Sequence, residues 1–158
     1  MALAREHLRS WPVTALGLVL ALLAMPSTLT GSEQATIEEL KGRVADASIS
    51  ERPVLCIHIS ERQLDAANKF YDAGDGEKAK AALADVVAFS GLARDSAIQS
   101  RKHEKQSEIA IRKMARKLAD MKHTVSHEDQ EQVESTMERL QRIRDDLLAA
   151  MFPKGVKK

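Results

Sequence analysis

The sequence predicts an all-α protein: helical hairpins packed as a three- or four-helix bundle, with a long antiparallel helical hairpin at the C-terminal end. Three observations carry this expectation. Apolar residues recur at alternating three- and four-residue steps through Ile111, Met114, Leu118, Met121 and Val125. They do so again through Val133, Met137, Leu140, Ile143, Leu147 and Met151, so each series is one stripe on a helix. The polar turn Thr124–His127 separates the stripes and is short enough to fold one helix back on the other. Composition agrees: 44% hydrophobic residues, only 3% aromatic and few Gly or Pro suit helices around a thin core rich in Ala and Leu.

The chain opens with a segment of a different kind. Arg5 and Arg9 form a short positive start, and Val13 to Met25 follow as an uncharged, apolar run of 13 residues. A membrane-spanning helix needs about 20 such residues, so this run reads as the core of a secretory signal peptide over residues 1–30, cut near Thr30 to Ser32. The alternative is an uncleaved inner-membrane anchor formed by residues 13–25. Either reading exports the remainder, as a periplasmic or secreted protein, and limits membrane contact to the N-terminal segment. No Cys follows the run, which excludes a lipoprotein anchor. Without residues 1–30 the chain holds 22 basic and 22 acidic side chains, a balance that gives no footprint for nucleic acid.

Residues 31–53 are expected to form a marginal helix and a linker. Thr36, with Glu39 three residues on, caps a short helix through Ile37, Leu40 and Val44. The bundle domain then spans residues 54–152. Pro53 to Ile59 is dense in β-branched residues, but a lone strand has no partner elsewhere, so the better reading is a helix with Pro53 in its first turn running toward Ala73. Its rival places a break at Ser60, which with Gln63 makes a second capping box. Gly74 stops the helix in both.

Ala66-Ala67, Phe70-Tyr71, Gly74-Asp75, Glu77-Lys78-Ala79 and Leu83 resemble the helix–turn–helix of a tetratricopeptide repeat over about residues 63–91. The resemblance implies small residues where the helices approach, aromatics filling the gap, a Gly-Asp turn, and a peptide-binding role. Gln63 stands where that family favours a large aromatic, and no proline closes the unit. No second copy follows at the 34-residue period of such repeats, so the expectation is a single αα-hairpin.

From Ala79 the helix continues through Leu83, Val86, Val87 and Phe89, with Ser90-Gly91 as the expected kink or end. Gln99 to Glu108 contains no apolar side chain, and inside a helix such a stretch runs along solvent. Ser126, three residues before Asp129, is the expected N-cap of the last helix. Pairing residues equally distant from the hinge brings Met121 to Val133, Met114 to Leu140, and Leu118 near Met137. Arg94–His123 holds nine Lys/Arg against four Asp/Glu, and Ser126–Ala150 three against seven, so the two halves match in charge. Residues 153–158 form a short basic tail.

Chemistry-bearing residues are sparse. His123 and His127 have the four-residue spacing that can present two imidazoles to one metal, but the hinge lies between them and no third ligand is placed by spacing. Cys56 and His58 point apart on a helix, which argues against a nucleophile pair and for a packed, inert thiol. There is no phosphate loop, serine elbow or zinc signature. The expectation is therefore no enzyme and no cofactor. The chain reads as an exported, non-catalytic helical interaction or scaffold protein of the cell envelope, with a protein partner and a homodimer as a further option. The alternative is a small periplasmic metal- or stress-sensing helical hairpin using its histidines. A membrane-surface role for the basic segment 94–123 is a third reading.

Overall fold

The computed structural model describes residues 35–153, which form five helices: α1 (Ile37–Asp46), α2 (Arg52–Asp72), α3 (Gly76–Ser100), α4 (Glu104–Lys122) and α5 (His127–Met151). The described residues contain no strand. The expected export segment, residues 1–30, lies outside them, as do residues 154–158.

Local chemistry explains most of the helix ends. Thr36 and Glu39 form a reciprocal capping box: the threonine hydroxyl accepts from the Glu39 amide at 3.2 Å and the glutamate accepts from the Thr36 amide at 2.6 Å. Leu40 is buried, and Arg62 donates to the Ala35 carbonyl, so α1 is tied to α2 at both points. In α2, Pro53 sits in the first turn, where its missing N–H is not needed. The helix then runs unbroken through Ser60, whose hydroxyl donates to the Cys56 carbonyl one turn back at 3.0 Å. Gly74, at φ 76°, takes the left-handed conformation that ends α2, and Asp75 caps α3 by accepting from the Lys78 amide at 3.2 Å.

Three sequence expectations give way here. First, Ser90-Gly91 neither ends nor breaks α3. Ser90 is buried and donates to the Ser60 hydroxyl at 3.2 Å, so this small side chain sits in the α2–α3 contact instead. Second, the stretch from Gln99 to Glu108 is not one solvated helical run. The chain reverses at Arg101–His103, with φ 56° at Arg101 and 63° at His103, while Ser107 and Glu108 are buried. The apolar residues on either side, Ala97 and Ile111, both join the same core, and a straight helix could not deliver both. Third, Ser126 stands at the N-cap position of α5 as expected, but its side chain caps no amide. Its hydroxyl donates to the Asp129 carboxylate at 2.6 Å rather than accepting an amide. Asp129 is turned toward the start of α3, where a Cβ on Gly76 would lie 3.2 Å from its carboxylate oxygen.

The four long helices make two antiparallel hairpins, α2–α3 and α4–α5, stacked with like helices side by side. Asp65 of α2 pairs with Lys117 of α4, and Arg94 of α3 pairs with Asp146 of α5 at 2.7 Å; both pairs are 52 residues apart in sequence. The α3 start also meets the α5 start through Gly76 and Asp129. Thus α2 runs parallel to α4 and α3 to α5. The two hairpins are offset by 52 residues at these contacts.

Leu64 and Ala67 of α2, Leu83 and Val86 of α3, Ile111, Met114 and Leu118 of α4, and Val133, Leu140 and Leu147 of α5 belong to one core. Burying each of its large aliphatic side chains stabilises the fold by about 1.5–3 kcal/mol. Within the α4–α5 hairpin, Lys122–Glu134 at 2.9 Å and Glu108–Arg144 at 2.7 Å set the antiparallel register near its two ends. That register pairs residues equally distant from the hinge, as the stripes predict. Asp85 of α3 is a junction of three helices, accepting from Gln63 of α2 at 2.7 Å and pairing with Lys41 of α1 at 2.8 Å. The Gln63 amide thus has a polar partner where the repeat pattern would seat an aromatic ring.

Candidate functional site

The histidines singled out by spacing, His123 and His127, stand on either side of the α4–α5 turn. His123 closes α4 and His127 opens α5, and both are exposed. Among the described residues, no group of three or more His, Cys, Asp and Glu side chains is placed to share a metal ion. Cys56 is fully buried, and removal from water pushes its thiol up to about 11, against a smaller opposing pull from Arg52. A thiol held in that state is a poor nucleophile at neutral pH.

Sequence spacing gave no sign of a different histidine pair. His58 and His103 line one cleft of about 360 Å³ with Pro53, Val54 and Ile57, because α2 and α4 run in parallel and bring their starts together. Val54 is 53% exposed there, a large aliphatic side chain left open to water.

A wider concavity lies elsewhere, as an open groove of about 710 Å³ along the outer face of the α4–α5 hairpin. The four-residue step between Ala115 and Ala119 on α4 puts two methyl groups in line, and Met137 of α5 completes an apolar floor. Arg112 and Arg116, also one turn apart, edge the groove from α4; Arg142 and Arg144 edge it from α5, with Glu138 and Gln141.

The four guanidinium groups are not equivalent. Glu108, nearly buried, holds Arg144 at 2.7 Å and sits 3.7 Å from Arg112, so two of the arginines are oriented by one carboxylate beneath them. Arg142 has only Glu138, at 3.9 Å, and Arg116 has no ion pair among the described residues. The groove therefore offers two fixed and two available cations above a small apolar floor. The charge count over whole helices hid this feature. α5 is acidic as a unit, yet five of its seven acids lie in Glu128–Glu138 and its three arginines cluster at 139, 142 and 144, just before Asp145 and Asp146.

Comparison with protein-family models, with curated proteins and with solved structures finds no match to this chain.

Proposed function

We propose that the chain is an exported, non-catalytic helical interaction or scaffold protein of the cell envelope. The observation that carries the interaction half of this reading is the arginine-edged groove on α4–α5, a recessed apolar strip with Arg116 unpaired among the described residues and Arg142 held only by exposed Glu138 at 3.9 Å. The export half rests on the positive start and short apolar run over residues 5–25. The tetratricopeptide-like character of Gln63–Gly91 adds support, since stacked αα-hairpins serve widely as binding scaffolds.

Two measurements test it together. Intact mass of the protein from fractionated cells should show a chain shortened by about 30 residues outside the cytoplasm. A photo-crosslinking residue at Arg116 should yield discrete adducts in intact cells, and the same residue at exposed Glu61 on α2 should not. A full-length cytoplasmic chain would overturn the export reading, and absence of adducts would overturn the interaction reading.

A further inference from the structure

We infer that the α4–α5 groove docks an acidic amphipathic helix of another protein, its apolar side chains seated on Ala115, Ala119 and Met137 and its carboxylates on Arg116 and Arg142. The inference rests on the interaction reading above and names the chemistry of the partner. Shape is the first argument. Two antiparallel helices with alanines at the contact line leave a trough between them, and a helix laid along it presents side chains at three- and four-residue steps. Met137 is half-buried and unbranched, so it can adapt to the side chains that arrive.

Charge is the second. The groove lining has four arginines and one carboxylate, Glu138. Arg112 and Arg144 are held by Glu108, and Arg142 meets only the exposed Glu138, at 3.9 Å, so Arg116 and Arg142 are the forks most open to incoming carboxylates. A second copy docked through a two-fold axis would set these same arginines against one another, so complementarity favours a different and acidic chain. A lipid surface fits less well, because the apolar floor is recessed and no aromatic side chain lines the groove to project from it.

The test uses the full mature chain and a synthetic helical peptide of about 20 residues with Leu at i, i+4 and i+7 and Glu on the flanks. A counterpart carries Lys for every Glu. Fluorescence anisotropy at low salt should show binding of the Glu peptide and none of the Lys peptide. The double variant R116E/R142E alters only exposed side chains and should keep its melting temperature. It should bind the Glu peptide about tenfold or more weakly and gain the Lys peptide. Equal binding of the two peptides, or binding unchanged in R116E/R142E, overturns the proposal. So does self-association that R116E/R142E abolishes, or binding to phosphatidylglycerol vesicles without binding to the peptide. If the Glu peptide fails while crosslinks from Arg116 persist in cells, the partner chemistry is wrong and the interaction reading stands.

Discussion

Glu108 and Arg144 are joined at 2.7 Å across the α4–α5 hairpin, and the glutamate side chain is 9% exposed against 25% for the arginine. The asymmetry predicts unequal effects. Arg144→Ala leaves a buried carboxylate with only Arg112 at 3.7 Å and should cost about 1–3 kcal/mol. Glu108→Gln removes the buried charge and keeps an acceptor for Arg144, so it should cost under about 1 kcal/mol. Urea denaturation at pH 7 measures both, and equal losses would show that the carboxylate is effectively solvated.

The apolar seam rather than the surface charge should carry the stability of the hairpin. Leu140 is fully buried, so Leu140→Ala should cost about 2–5 kcal/mol. Arg139 is exposed, and Arg139→Ala should stay within about 0.5 kcal/mol. Thermal melts in about 1 M salt should match those at low salt to within a few degrees, because exposed ion pairs are worth about 0–1 kcal/mol each. Comparable effects of the two substitutions would refute the seam.

The parts of the fold that were legible in the sequence are those written in local chemistry. Thr36 with Glu39, Pro53, Gly74-Asp75 and the stripes around Leu118 and Leu140 each announce a cap, a start, a turn or a face by residue type and spacing. What escaped depends on contacts between distant segments. Ser90-Gly91 looked like a break because small residues often punctuate helices; only the presence of Ser60 opposite turns Ser90 into a packing residue. The reversal at Arg101–His103 carries no Gly, Pro or Asn to mark it, and the position of the core on both sides imposes it. The groove was hidden for the same reason. Its arginines come from two helices whose pairing fixes their neighbours.

Cys56 gives a pH prediction. Its thiol pKa is raised from 9.0 to about 11 in the fold, so the unfolded chain loses that proton first as pH rises. The associated stability is complete below pH 9 and declines on the way to pH 11. Tyr71, raised to about 12 mainly by burial and also by Asp129, adds to the same alkaline loss above pH 10. Cys56→Ala should remove the thiol's share, on the order of 2 kcal/mol, seen as a shallower fall in unfolding free energy between pH 9 and 11. In the native protein at pH 8, Cys56 should resist iodoacetamide until denaturant is added. Rapid native labelling would show that the site opens.

The turn at Arg101–His103 should respond to glycine in the opposite sense from Gly74. Arg101 and His103 hold left-handed backbone at φ 56° and 63°, which costs a side-chain-bearing residue about 1 kcal/mol. His103→Gly should therefore raise the melting temperature or leave it unchanged, the relief being partly offset by extra freedom in the unfolded chain. Gly74→Ala, at φ 76°, should lower stability by about 1 kcal/mol. Destabilisation by His103→Gly of similar size would mean that the imidazole itself holds the turn.

The stacking of two like hairpins at a 52-residue offset also shapes how the chain assembles. Each hairpin closes through a turn of a few residues, so its internal contacts are local and form quickly, on the timescale of helical bundles. Docking comes second, since the surfaces that meet across the stack exist only after both hairpins have zipped. A ribosome releasing the chain would present α2–α3 first, with Leu83 and Val86 uncovered until α5 arrives. Cleavage at residues 101–103 would leave two fragments whose apolar flanks fit each other, and the cut protein should reassemble from its halves.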